Sequence, residues 1–155
     1  MAETVEDRLK ALGLELPDAP KPLANYVSAL LSGDLLFISG QISRGADGRV
    51  ISGILGGGLA IEDGQIAARQ CALSILAQAK AQLGSLERIE RVVRITGYVA
   101  ATLDFRDHPQ VTNGASDLFI AVLGEAGRHT RAAVGVASLP FGAAVEIDAI
   151  MKVRN

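Results

Sequence analysis

The chain has no tryptophan and only two tyrosines and four phenylalanines among its 155 residues, so aromatic rings cannot fill its core. With 49% of residues hydrophobic, the interior must be built from Ala, Val, Ile and Leu at close approach, an economy that suits helices lying tightly on a sheet. Cys71 is the one cysteine, which excludes an internal disulfide framework and leaves no sign of an oxidising compartment. No stretch approaches ~18 consecutive apolar residues, and the opening MAETVEDRLK sets acids before bases without an apolar run. Neither a membrane-spanning helix nor a signal peptide is expected. An excess of one charge is lacking too. Fifteen basic against seventeen acidic residues give a formal charge of −2, no electrostatic footprint for a polyanion or an anionic membrane. These absences predict a soluble cytoplasmic protein with neither membrane nor nucleic acid among its partners. A chain this long buries roughly two-thirds of its unfolded surface, so residues 1–155 are expected to form one domain.

What is present divides cleanly by period. Thr4 and Asp7 resemble a capping pair, Val5, Leu9 and Leu12 mark one helical stripe, and Gly13 can close the helix. The three prolines of LELPDAPKPLAN then deny that segment regular hydrogen bonding, so residues 1–25 read as a short helix plus an extended connector. YVSALLSGDLLFISGQIS offers two strands around a tight turn at Ser32-Gly33-Asp34, and the glycine-dense RGADGRVISGILGGGLAIEDG reads as a loop. From Glu62 to Leu83, Ile66, Leu73, Leu76 and Leu83 recur at helical spacing, Gln65, Arg69, Gln78 and Gln82 fill other positions, and Gly84 stops the run. RIERVVRITGYVAA alternates Val93, Ile95, Gly97 and Val99 with Arg94, Thr96 and Tyr98, a strand with one wet or partner-covered face. A second core helix is expected from Asn113, as its cap, to Gly127. Two strands, roughly 130–139 and 143–153, follow on either side of PFG. The order helix, β, β, α, β, α, β, β predicts an α+β fold with both long helices on one face of the sheet.

At this level the chain resembles the RidA (YjgF) family of reactive-intermediate deaminases, also labelled L-PSP endoribonucleases. The resemblance runs from about Tyr26 to Val153. It rests on the Tyr26 region, SGQ at Ser39–Gln41, the helix QIAARQCALSILAQAKAQLGSLERI, VTN before the second helix, Arg131, and LPFGAAVEIDAI. The N-terminal helix, GASDL and GEAGRHTR resemble a longer-chain branch of that family. The resemblance implies a chorismate-mutase-like mixed sheet, with residues 26–153 as core and 1–25 as an appendage, assembled as a homotrimer with clefts between subunits. It implies further that each cleft takes a small carboxylate-bearing imine or enamine and hydrolyses it to a 2-oxo acid and ammonia, with no metal or organic cofactor.

The charged positions have readings of their own. Strand alternation sets Arg131 on one side with the small residues Ala133, Gly135 and Ala137, where its planar fork has room to grip a carboxylate through two parallel bonds. An arginine paired with an acid at an interface is the plain alternative, and the match to the family's carboxylate-binding arginine favours the first. Glu146 is either an acid on the polar face of a strand or a group that orients or activates water. With an even register across Pro140–Phe141, it is expected to share the Arg131 face, facing Gly135 about 13 Å of backbone away. Tyr26 matches a position that covers the ligand, Ser39 and Gly40 one that offers backbone hydrogen bonds, and Asn113 a pocket residue. A packed aromatic, a strand-end serine and a helix cap explain these residues as well. Ser39 lacks the glycine of a nucleophile elbow, and GILGGGLA lacks the Gly-Lys-Ser/Thr of a phosphate loop.

The chain also departs from the family. Ala133 stands where many members carry cysteine two residues after the arginine, and His129 where they carry proline two before it. His129 is then an added acid–base group or a partly buried structural histidine. His108 and His129 have no Cys or carboxylate at metal-site spacing, so zinc is not expected. Cys71, among Ala and Leu, reads as buried and inert. Three functions follow in order: a trimeric imine or enamine deaminase, a non-catalytic trimer that binds 2-oxo acids or amino-acid-like ligands, and an endoribonuclease, which the charge balance disfavours.

Overall fold

A computed structural model describes all of residues 1–155. Helix α1 (Val5–Ala11) starts at Thr4, whose hydroxyl accepts from the Asp7 amide while the Asp7 carboxylate accepts from the Thr4 amide and hydroxyl. That reciprocal cap satisfies donors a helix start otherwise leaves open. Gly13 ends the turn at φ 69°. The helix buries Val5 and Leu9 in the main core. It is pinned by Glu6 to Lys80 (2.7 Å) and by Arg8 Nη1, which donates to the Val122 carbonyl (3.0 Å).

Strands β1 (Ala29–Ser32) and β2 (Leu35–Ile42) form the expected hairpin around Gly33 (φ 62°), whose left-handed backbone favours glycine. β1 begins opposite Ile38, and just beyond that pair β2 bulges: Ile38 pairs with Ala149 and Gln41 with Ile147, so Ser39-Gly40 carries the extra residue. Helix α2 (Ile61–Leu83) ends on Gly84 at φ 81°. Its alanines 67, 68, 72 and 79 are fully buried, so it lies close on the sheet. Two positions correct the sequence reading. Ile66 is 48% exposed and lies on the outer surface, whereas Gln78, at 5%, is buried. Helical spacing alone does not separate an apolar residue on the outer side from a polar one that has found partners inside.

Strand β3 (Ile89–Ala100) is bulged between Val92 and Arg94, which buries Val92 and turns Val93 out at 37% exposure, against the simple alternation expected. Helix α3 runs from His108 to Leu123, so it starts ahead of Asn113, which lies inside it and caps nothing. Pro109 sits in its first turn, where a missing N–H costs no bond. At Gly114 the backbones of α3 and α2 meet, because an added Cβ would strike the Gln65 carbonyl.

Strands β4 (Thr130–Val136) and β5 (Val145–Val153) do not pair. The sheet order is β1-β2-β5-β3-β4, with β5 antiparallel to both β2 and β3, and β4 parallel to β3 at the edge. A parallel pair needs a crossover, and α3 supplies it. Both long helices cover one face, where Leu36, Ile95, Val99, Ile147, Met151 and Phe119 are fully buried. The opposite face is open and carries Leu30, Phe37 and Val134, all exposed. No helix is long and apolar enough to cross a membrane.

Candidate functional site

Two groups of the singled-out residues assemble, on opposite faces of the sheet. The register fixes this. Arg131 pairs with Ile95, which points into the helix-covered core, while Glu146 pairs with Tyr98 on the open face. The even register assumed across Pro140–Phe141 is therefore overturned: β3 lies between the two strands, and in one chain Glu146 does not share the Arg131 face. Their backbones are separated by two inter-strand spacings, about 10 Å, and by three residues along the strand, about 10 Å more.

The first group lies beneath α3. Arg131 Nη1 donates to Asn113 Oδ1 (2.8 Å) and to Ser116 Oγ (3.0 Å), and Nη2 donates to the Pro109 carbonyl (3.1 Å). All three acceptors are neutral, and the protein's salt bridges do not include Arg131. Nε–H and the second Nη2–H are thus unspent, and such a pair is what a side-on grip on a carboxylate uses. Asn113 does not cap the helix, and its side chain holds the guanidinium.

His129 completes this group from behind. Its Nδ1 lies 2.6 Å from the Gly127 carbonyl and its Nε2 2.8 Å from Ser116 Oγ. Burial lowers its pKa below 6.5, outweighing the Gly127 hydrogen bond, and the charge on Arg131 pushes the same way. The neutral ring then has one consistent proton assignment. Nδ1–H donates to Gly127, Nε2 accepts from the Ser116 hydroxyl, and the Ser116 oxygen accepts from Arg131. His129, like Ser116, which the sequence did not single out, supports Arg131.

The second group forms at the β2 bulge. Gly40 and Glu146 touch so closely that a Cβ on Gly40 would overlap the Glu146 carboxylate. Tyr26, Gly40 and Glu146 line both of two adjoining clefts, of about 760 and 690 Å³. The larger is walled by the connector at Pro17–Ala24 and by the Arg44–Gly48 loop, the smaller by Leu30, Phe37 and Ile150 of the open face. Ser39 lines the smaller cleft, although its hydroxyl donates to the Val27 carbonyl (2.7 Å). Burial raises the Glu146 carboxyl pKa, and the Asp148 carboxylate raises it further.

Two residues that sequence reasoning passed over support this group. Gln78 Nε2 donates to the Pro20 carbonyl (2.6 Å) and lies 3.4 Å from Gln41 Oε1, and Gln41 Nε2 donates to the Ser39 carbonyl (2.9 Å), so buried amides tie connector and bulge together. Phe141 is 68% exposed at the cleft with a left-handed φ of 58°, a conformation uncommon for a bulky residue and found where surrounding structure imposes it. A polar residue inside an apolar helical run was the available signal for Gln78. Cys71 is fully buried, with burial raising its thiol pKa. No three His, Cys, Asp or Glu side chains converge as a metal site would require.

The family model described as "YjgF/chorismate mutase-like, putative endoribonuclease" matches residues 6–148. The chain belongs to the YjgF/chorismate mutase-like family. Protein TCP17 of Trypanosoma cruzi is 47% identical over 152 residues, which cover 97% of this chain and 95% of that protein. The crystal structure of Atu1372 from Agrobacterium tumefaciens, described as of unknown function, is 47% identical with a TM-score of 0.90, over 97% of this chain and 94% of the other. The E. coli TdcF structure with bound serine is 27% identical with a TM-score of 0.63, covering 88% and 94%. RidA proteins are among the structural neighbours of this YjgF-family chain.

Proposed function

We propose that this YjgF-family protein hydrolyses small carboxylate-bearing imines and enamines, of the 2-aminoacrylate kind, to 2-oxo acids and ammonia. The observation that carries this reading is Arg131, a guanidinium held by three neutral acceptors with a two-donor fork unspent. A site built so is complete only when a carboxylate arrives. The serine-bound TdcF relative supports a ligand of amino-acid size. Because the Arg131 and Glu146 groups lie on opposite faces of one chain, a cleft that uses both takes one from each of two copies. A homotrimer with the open sheet face covered satisfies this requirement. In that cleft Arg131 holds the substrate carboxylate, with Asn113 fixing the guanidinium. Tyr26 covers the ligand, the Ser39-Gly40 backbone lines its other side, and Glu146 accepts a hydrogen bond from the attacking water and orients it. The protein acts in the cytoplasm and requires no cofactor.

Ala133 favours a second reading. With a methyl where many relatives carry a thiol, the trimer binds 2-oxo acids without turning anything over. Release of ammonia from freshly generated 2-aminoacrylate separates the two: release faster than the uncatalysed rate supports the deaminase, and calorimetric binding of pyruvate without release supports the binder. Ribonuclease activity, the family's other label, is opposed by the −2 charge.

A further inference from the structure

We propose that His108 is the acid–base residue on the Arg131 side of the cleft. The proposal rests on the deaminase reading. His108 is the first residue of α3, and its neighbour Pro109 is the one whose carbonyl accepts from Arg131 Nη2 at 3.1 Å. One of the three groups that hold the guanidinium therefore lies in the same helical turn as the imidazole. The His108 ring leans over β4 so closely that a Cβ on Gly135 would overlap its Nε2. Gly135, Ala133 and Arg131 alternate onto one face of β4, whose pairing with β3 runs without a register shift. The imidazole, the small floor of Ala133 and the guanidinium thus follow one another along a single strand.

The two histidines differ in what their rings are doing. Both nitrogens of His129 are engaged, by Ser116 and Gly127. The His108 ring is half-buried, edge-on to Phe105 at 5.2 Å and 87°, and has no hydrogen-bonding partner in the chain. No buried side-chain nitrogen or oxygen lacks a partner, so the His108 nitrogens are open to solvent or ligand. A substrate whose carboxylate sits in the Arg131 fork extends over Ala133 toward Nε2.

The step balances with His108 as the proton carrier. The substrate is present as its iminium. As the water oxygen bonds to the iminium carbon, Nε2 takes one water proton and the C=N π pair moves to nitrogen, giving a neutral carbinolamine. The imidazolium then returns the proton to nitrogen, the C–N bond breaks, ammonia leaves, and the hydroxyl proton passes to solvent as the 2-oxo acid forms.

Nitrogen-15 NMR of histidine-labelled protein tests the placement apart from turnover. Adding pyruvate should shift the His108 ring resonances in the wild type and leave them unmoved in Arg131→Ala at the same concentration. If calorimetry records pyruvate binding while His108 stays unmoved, the role of His108 is overturned and Arg131 stands. If pyruvate does not bind at all, the carboxylate reading falls and takes this proposal with it. For the chemistry, His108→Gln should lower kcat at least ~100-fold with KM changed no more than about threefold. Added imidazole should restore part of the rate of His108→Ala. An unchanged kcat in His108→Gln, or a wild type that binds pyruvate but never releases ammonia, overturns the assignment.

Discussion

Replacing Arg131 by alanine removes one guanidinium whose five N–H groups the structure divides into two jobs. Three of them hold the side chain to Asn113, Ser116 and Pro109, and two remain unspent, which the proposed carboxylate grip would use. Hydrogen bonds to a charged group contribute roughly 1.5–3 kcal/mol each. Two bonds to one carboxylate share that charge, so the loss is set at about one such bond, or roughly 10- to 150-fold in Kd. Lysine at 131 offers a single ammonium that must choose between the neutral acceptors and the ligand, so Arg131→Lys should recover only a small part. Folding is a separate readout. Pro109 is exposed and Asn113 half-buried, so water can replace the guanidinium there, and buried Ser116 keeps His129 as a partner, so circular dichroism should show an intact fold with a modestly lower Tm. Titration calorimetry with pyruvate or 2-oxobutyrate measures the effect. A Kd within twofold of wild type in folded Arg131→Ala would refute the reasoning.

Gly40→Ala places a methyl into the Glu146 carboxylate, so turnover should fall by about tenfold or more while pyruvate affinity changes less; steady-state kinetics that match the wild type would count against the Glu146 group. Gly114→Ala drives a methyl into the Gln65 backbone, which cannot yield as a side chain can, and should cost about 2–4 kcal/mol in urea unfolding. For His129 the folded pKa lies below the ordinary 6.5, so the unfolded chain binds a proton that the folded chain does not. Its stabilising contribution is full above about pH 6.5 and is lost as pH falls through the folded value. His129→Gln should flatten that part of the stability–pH profile, and an unchanged slope between pH 7.5 and 5 would contradict the assignment.

Local signals in the sequence were read correctly where their physics is local. The Thr4–Asp7 cap, the turn at Gly33 and the stop at Gly84 each depend on a few neighbouring residues. The partner of each strand was harder to see, because alternation shows that a segment can pair and not with what. Reading 130–153 as two strands about PFG suggested that β4 and β5 lie side by side. Yet strand, helix, strand at 89–136 is the order that makes a parallel pair through a crossover, and β3 accordingly separates them. That single difference moved Glu146 to the other face from Arg131. The start of α3 was legible from Pro109 in its first turn, but Asn113 offered a more familiar cap. The partners of Ser116 and Gln78 were illegible because His129 and the Pro20 carbonyl come from outside their own helices.

The central claim, that one functional cleft needs Arg131 from one copy and Glu146 from another, is tested most directly by mixing two variants. Arg131→Ala and Glu146→Ala are each expected to lack activity when assembled alone. Unfolded together in equal amounts and refolded, they should form mixed trimers in which about one cleft in four pairs an intact Arg131 with an intact Glu146. Ammonia release from 2-aminoacrylate should then recover to about a quarter of the wild-type rate. Activity that stays at the level of the separate variants, in trimers shown by mass spectrometry to be mixed, would contradict the account.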